Sequence, residues 1–216
     1  IIPLGGLSNS KTHHCKENGY FAIFDSDRYG FNNPDNEWDN EVIEFFLVGD
    51  SFTMGECVNR PHDFGSVLRK LSNKSVLNLG YSSNGPMLQF AALKEYLDEN
   101  VNNILWFYFE DNDLQDLKDT MNSKILNNYL DKKDFSQSLR LKQKEIDIIV
   151  DNTVREHLKY FQSREEKRKK NQILRFVRLD KTKDKLKALM NDNDNKKKKF
   201  NEEVFLKFKK ILEHTQ

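Results

Sequence analysis

At 216 residues, with 35 basic against 34 acidic side chains and a net charge of +1, the chain is long enough for one substantial core. It carries no charge excess that would draw it to nucleic acid or an anionic membrane. Its apolar runs fall far short of the ~20 residues that a bilayer span needs. The chain opens at Ile1 without an initiator methionine, so it reads equally as a mature product or a piece of a longer reading frame.

Asp25, Asp27, Asn32, Asn33, Asp35 and Asn36 favour Asx turns, and Pro34 fixes the backbone among them, so Asp27–Trp38 reads as a lead-in loop. Either Tyr29, Phe31 and Trp38 pack over a sheet edge, or Arg28, Tyr29 and Trp38 line a sugar-binding rim. The packed role suits Phe31, and Trp38 stays open between the two.

Val42–Val48 has the β-branched and aromatic content of a strand buried on both faces. It stops abruptly at Gly49-Asp50-Ser51, after which the chain can enter a helix whose first N–H groups lack partners. In open α/β sheets ligands bind beyond the carboxyl ends of the strands, where helix N-termini favour negative charge. Ser51 there is a candidate nucleophile. The plainer alternative, that Asp50 or Ser51 only caps a helix, is equally compatible with the tetrapeptide.

Ser75–Gly80 reads as a second strand, followed by the turn cluster Tyr81–Pro86 and a helix from Met87 to Leu97, with Pro86 suited to its first turn. Asn103–Phe109 reads as a third strand ending in Glu110-Asp111-Asn112-Asp113. The three junctions bring Ser51, the Ser82–Gly85 turn and Asn112 to one sheet edge. A hydroxyl, a turn of backbone N–H groups and a carboxamide are the minimum equipment for acyl transfer. A P-loop reading of Gly49–Glu56 fails, because Glu56 stands where a phosphate-binding lysine is needed.

The second half reads as charged helices: Leu114–Leu130, Phe135–Val150, Val154–Phe161, Ile173–Met190 and Phe200–Leu212. The basic run Arg164–Lys170 is interleaved with acids and lacks a stacking ladder, so it reads as a solvated face or loop, not a nucleic-acid site. Asn191–Lys199 is low-complexity and reads as a flexible loop. Cys15 and Cys57 permit one disulfide, which spacing alone leaves open against two free thiols. No metal-ligand spacing accompanies them. His13, His14, His62, His157 and His214 all read as surface residues.

Gly49-Asp50-Ser51, Asn78-Leu79-Gly80-Tyr81-Ser82-Ser83 and Glu110-Asp111-Asn112-Asp113 resemble, in that order, the first three blocks of the SGNH (GDSL-like) hydrolase family. Asp27–Pro34 resembles a lead-in of bacterial envelope and polysaccharide-associated members. The resemblance spans roughly Asp25 to Leu117. It implies Ser51 as nucleophile, with Ser83 and Asn112 contributing to the oxyanion hole and Asp50, Gly80, Asn84 and Trp38 as substrate-binding positions. It implies no cofactor and no metal. Two departures stand out: Ser83 and Glu110 replace glycines of the pattern, and the Asp-x-x-His block that supplies the base is absent.

The resemblance therefore implies a three-layer α/β/α fold with a mainly parallel, flavodoxin-like sheet and a charged helical insertion. The segments are a lead-in at 1–40, a core at 41–117 carrying the three blocks, and a helical part at 118–216 that offers a surface to a protein partner. The implied function is ester hydrolysis or O-acetyl transfer on an acylated small molecule or carbohydrate, in the periplasm or cell envelope. A non-catalytic carbohydrate-binding or scaffold protein that keeps the fold is the alternative. Without the Asp-x-x-His block the chain is expected to be truncated and nearly inactive alone.

Overall fold

A computed structural model of the chain describes residues 1–17, 19–177 and 202–214. The part of the helix expected over Ile173–Met190 that lies beyond Val177, and the stretch Asn191–Lys199, fall on residues 178–201, outside that description. The chain forms two compact units, Ile1–Val150 with Asn201–Gln216, and Asp151–Phe200.

The first unit is α/β. A short antiparallel hairpin, β1 (Lys11–His13) and β2 (Ile23–Asp25), precedes the main sheet. That sheet has three parallel strands: β3 (Ile43–Val48), β4 (Val76–Asn78) and β5 (Val101–Trp106), in the order β4-β3-β5. The first strand in the middle, flanked by the second and third, is the doubly wound arrangement, and its switch point lies between β3 and β5. β3 is central and its last three residues, Phe46, Leu47 and Val48, are wholly buried.

Helices lie on both faces. Successive strand residues point to opposite sides, and Trp106 and Phe107 mark the two. Trp106 donates its indole N–H to Gln89 at 2.6 Å, in helix α3 (Pro86–Tyr96). The Phe107 ring instead meets Phe64, at 5.4 Å between centroids, at the start of helix α2 (Phe64–Ser72). The three-layer α/β/α arrangement follows.

α3 has Gly85 at its N-cap, Pro86 in its first turn, and buried residues on nearly every side. A helix apolar all round belongs inside a core. Its one buried acid, Glu95, accepts hydrogen bonds from Ser136 Oγ and Leu139 N, each at 2.9 Å, and from the Tyr129 hydroxyl and Gln137 N. That carboxylate fastens the 135–141 segment, including a 3-10 turn at Leu139–Leu141, to the core.

The helix expected over Leu114–Leu130 is two: α4 (Asp113–Thr120) and α5 (Lys124–Asp131). Ser123 breaks it, because its hydroxyl caps the second helix at Leu126 N. Conversely, the separate helices expected over Phe135–Val150 and Val154–Phe161 are one from Gln143, α6 (Gln143–Val177). The basic run therefore begins on a helix; there Arg164 lies 5.5 Å over the Tyr160 ring. α7 (Glu202–Glu213) buries Val204 and Ile211 in the first unit's core.

The lead-in is pinned by Asp27, which is fully buried. Its carboxylate collects the N–H groups of Tyr29 and Phe31, the Asn33 amide and the Trp38 indole, all between 2.8 and 2.9 Å. Burial nonetheless pushes the Asp27 carboxyl above its ordinary range. Asn33 also pairs with both backbone groups of Asn78, covering the free edge of β4. Phe31 is fully buried, so its packing role is the observed one.

Candidate active site

Backbone hydrogen bonds align the three strand ends. Leu79 N donates to Leu47 O and Tyr81 N to Gly49 O on one side of β3; Phe107 N donates to Val48 O on the other. The turns carrying Ser51, Ser83 and Asn112 thus leave the sheet at one level. β5 ends at Trp106, short of the expected Phe109, because β3 turns away at Gly49 and offers no further partner.

Ser51 is the first residue of a single helical turn, α1 (Ser51–Met54). Asp50 is the cap, its Oδ1 accepting from Phe52 N at 2.9 Å. The capping role therefore falls on Asp50. Among the described residues the Ser51 hydroxyl has no hydrogen-bond partner, and it is half-buried. Asp50 is itself buried, and its Oδ2 lacks a partner among those residues.

Gly80 allows α1 to lie against the end of β4. A Cβ there would fall 2.3 Å from Met54 N, and one on Gly49 would fall 2.0 Å from Thr53 Oγ1. Ser83 is exposed and has a left-handed backbone, φ +65°. The turn around it is closed by Asn84 N to Tyr81 O at 3.2 Å. Asn84 is buried, and its amide donates to Leu4 O. Ser82 is tied to Glu56, its hydroxyl 3.0 Å from Oε2.

Asn112 stands at the N-terminal boundary of α4 without a side-chain cap bond and donates from Nδ2 to Asp116 at 2.9 Å. That nitrogen carries two hydrogens, so one donor is left. Next to it, Asp113 is fully buried and accepts from Phe109 N at 2.6 Å and Gln89 Nε2 at 3.2 Å. Burial, reinforced by the Asp50 charge, pushes its carboxyl up to about 6. Phe52 and Phe109, both exposed, meet at a tilt with centroids 4.7 Å apart, joining α1 to the chain after β5.

Trp38 lies in the 3-10 turn Asp35–Asp39, with its indole N–H on Asp27 and its ring edge on Tyr29 at 4.8 Å. That turn meets β4 at its amino end, where Glu37 accepts from Val76 N. Arg28 is committed to Asp35 and Asp39. Both lead-in residues are thus engaged within the fold.

Of the histidines, His13, His62, His157 and His214 are exposed, while His14 is half-buried with Nδ1 3.2 Å from Glu56 Oε1. His14 adjoins the Cys15–Cys57 disulfide, which the structure contains. Sequence reasoning gave no anchoring role to Glu56, Glu95 or Asp113. An acid inside an otherwise apolar helix was the available signal for Glu95; Glu56 and Asp113 owe their surroundings to contacts far along the chain.

No family model and no curated protein matches this chain. Among solved structures, the chain is similar to the crystal structure of AlinE4, an SGNH-hydrolase family esterase, at 14% identity and a TM-score of 0.29. The similarity covers 39% of this chain and 56% of that one, so it spans little more than half of AlinE4. At that level it says nothing about the site.

Proposed function

We propose that this chain carries the acyl-binding half of an SGNH-type serine esterase site, with Ser51 as the nucleophile. The N–H groups of Ser51 and Ser83 and the free N–H of Asn112 are the oxyanion donors in this reading. Removing one such donor typically costs 10²–10³ in kcat. The observation that carries the reading is the pairing of Leu79, Tyr81 and Phe107 with β3, which aligns the three turns at the carboxyl edge of the sheet. Asp50 supports it by taking over the cap and leaving the Ser51 hydroxyl without a partner among the described residues.

The substrate class is an acylated carbohydrate or small acyl ester, and water or a sugar hydroxyl would serve equally as the final acceptor. Asp50 and Gly80 shape the site from below. Asn84, bonded to Leu4, and Trp38, bonded to Asp27, act through the fold in this reading instead of touching substrate. The Cys15–Cys57 disulfide supports an oxidising, extracytoplasmic setting such as a bacterial envelope. The helices after residue 118 would offer a surface to a protein partner.

A binding protein without turnover is the second reading. It is favoured by the missing Asp-x-x-His and by the Asn112–Asp116 hydrogen bond, which occupies one oxyanion donor. Hydrolysis of p-nitrophenyl acetate separates the two. Release of nitrophenol above the buffer rate, even at the small residual rate that an oxyanion hole without a base retains, and its loss in Ser51→Ala support the esterase. Buffer-rate release from both proteins, with an O-acetylated oligosaccharide bound equally by both, supports the binding protein.

A further inference from the structure

Ser83 holds a left-handed backbone, φ +65°, without being glycine. Such a conformation costs roughly 1–2 kcal/mol and persists only where the surroundings over-determine it. Its turn is rooted by Tyr81 N on Gly49 O at 3.3 Å, closed by Asn84 N on Tyr81 O at 3.2 Å, and tethered by Asn84 Nδ2 on Leu4 O at 3.3 Å. All three are long. The fourth, from Ser82 Oγ to Glu56 Oε2 at 3.0 Å, has a carboxylate acceptor, and Gln89 Nε2 on Asn84 O at 2.6 Å anchors the far end of the turn from α3.

Glu56 is itself restrained. Its N–H donates to Ser51 O at 2.9 Å, so it sits directly after the helical turn that begins with Ser51. Its second oxygen lies 3.2 Å from His14 Nδ1. Flanking it, Cys57 is joined to Cys15, the residue after His14. A covalent clamp, a histidine–carboxylate contact and a hydroxyl bond thus run from the β1–β2 hairpin to the Ser83 turn. Asn59, which accepts from Ile23 N at 2.7 Å, holds the hairpin independently, so opening the disulfide loosens the clamp without freeing the hairpin.

We infer that Glu56, bonded to Ser51 O and flanked by the Cys15–Cys57 disulfide, is a positioning residue for the Tyr81–Asn84 turn and its Ser83 N–H, which makes the site's competence depend on the disulfide. The inference rests on the proposed role of Ser83 as an oxyanion donor.

The test measures the maximal rate (kinact) and half-saturation (KI) of Ser51 labelling by a fluorophosphonate, alongside hydrogen exchange of the 81–84 amides. Glu56→Ala and Ser82→Ala should each lower kinact by about 10- to 100-fold, the range expected of a displaced catalytic group. KI should barely change, and the double variant should be no slower than either single one. Glu56→Gln, whose carboxamide oxygen still accepts from Ser82, should recover most of the rate. Dithiothreitol should slow wild type but not Glu56→Ala, and amide exchange should quicken wherever labelling slows. Wild-type labelling in Glu56→Ala, or additive losses in the double variant, would overturn the inference. Unchanged exchange at 81–84 in Glu56→Ala would overturn it even if Ser51 proves unreactive, whereas quickened exchange with an unlabelled wild type would leave the clamp standing and remove the esterase reading.

Discussion

Gly80 lies so close to Met54 that a single added methyl carbon would fall 2.3 Å from its backbone nitrogen. The strand end carrying the Ser83 turn and the helical turn carrying Ser51 are therefore in direct backbone contact, and the small residue is what permits it. Gly80→Ala should move α1 while leaving the distant core intact. We expect a stability loss of about 1–3 kcal/mol, as for an overpacked core, with Ser51 labelling slowed by about 10²-fold. Chemical denaturation and labelling kinetics on the same sample check both.

Glu95 is the second point at which one side chain organises a long segment. Replacing it with alanine leaves the N–H groups of Gln137 and Leu139 and the hydroxyls of Tyr129 and Ser136 without their acceptor. Unsatisfied buried donors cost about 1–3 kcal/mol each when they cannot reach water. The loss expected for Glu95→Ala is about 2–4 kcal/mol, because the half-exposed donors recover solvent. Urea denaturation reads it directly, and Glu95→Gln should restore part of it.

Asp113 gives the site a pH signature. Its carboxyl stands near 6 in the folded chain against an ordinary 3.8, raised by burial and the Asp50 charge against the opposing Phe109 N–H. A raised carboxyl contributes its stability fully below pH 3.8 and loses it as pH rises through about 6. The stability of wild type relative to Asp113→Asn should thus fall by up to about 3 kcal/mol between those values. It should be flat above and below them. A pH-independent difference would contradict the assignment.

The Cys15–Cys57 bond closes a loop with a sequence separation of 42. Chain-entropy arguments give a crosslink of that span about 4 kcal/mol. Cys57→Ser should lower unfolding free energy by about that amount, and non-reducing peptide mapping of wild type should recover Cys15 joined to Cys57. Two free thiols in oxidised preparations would remove both the clamp and the support for an extracytoplasmic setting.

The strand ends and turns that carry the candidate residues were legible in the sequence because they depend on short-range features. An apolar strand, an abrupt Gly49-Asp50-Ser51 turn and Pro86 opening a helix are all local, and the structure keeps each. The misread elements show where local rules compete. Helical periodicity ran through Met121–Ser123, yet the Ser123 cap ended one helix and began another. The β1–β2 hairpin went unread because its strands are three residues long and its position depends on Cys57, Asn59 and Arg60 far along the chain. Asp27 showed in sequence as an Asx-turn former and Glu95 as an acid in an apolar helix, whereas Glu56 becomes an anchor only through its contact with Ser82 far along the chain.

The most direct test of the central claim is whether Ser51 is the hydroxyl that reacts with an acyl-type electrophile, at the residual rate that a site without a base retains. Wild-type protein is treated with a fluorophosphonate probe, digested, and the modified peptide sequenced by mass spectrometry, with Ser51→Ala in parallel. The account expects a single phosphonylated residue, Ser51, slower labelling in Asn112→Ala, and none in Ser51→Ala. Equal labelling of wild type and Ser51→Ala, or no labelling of folded wild type, would contradict it.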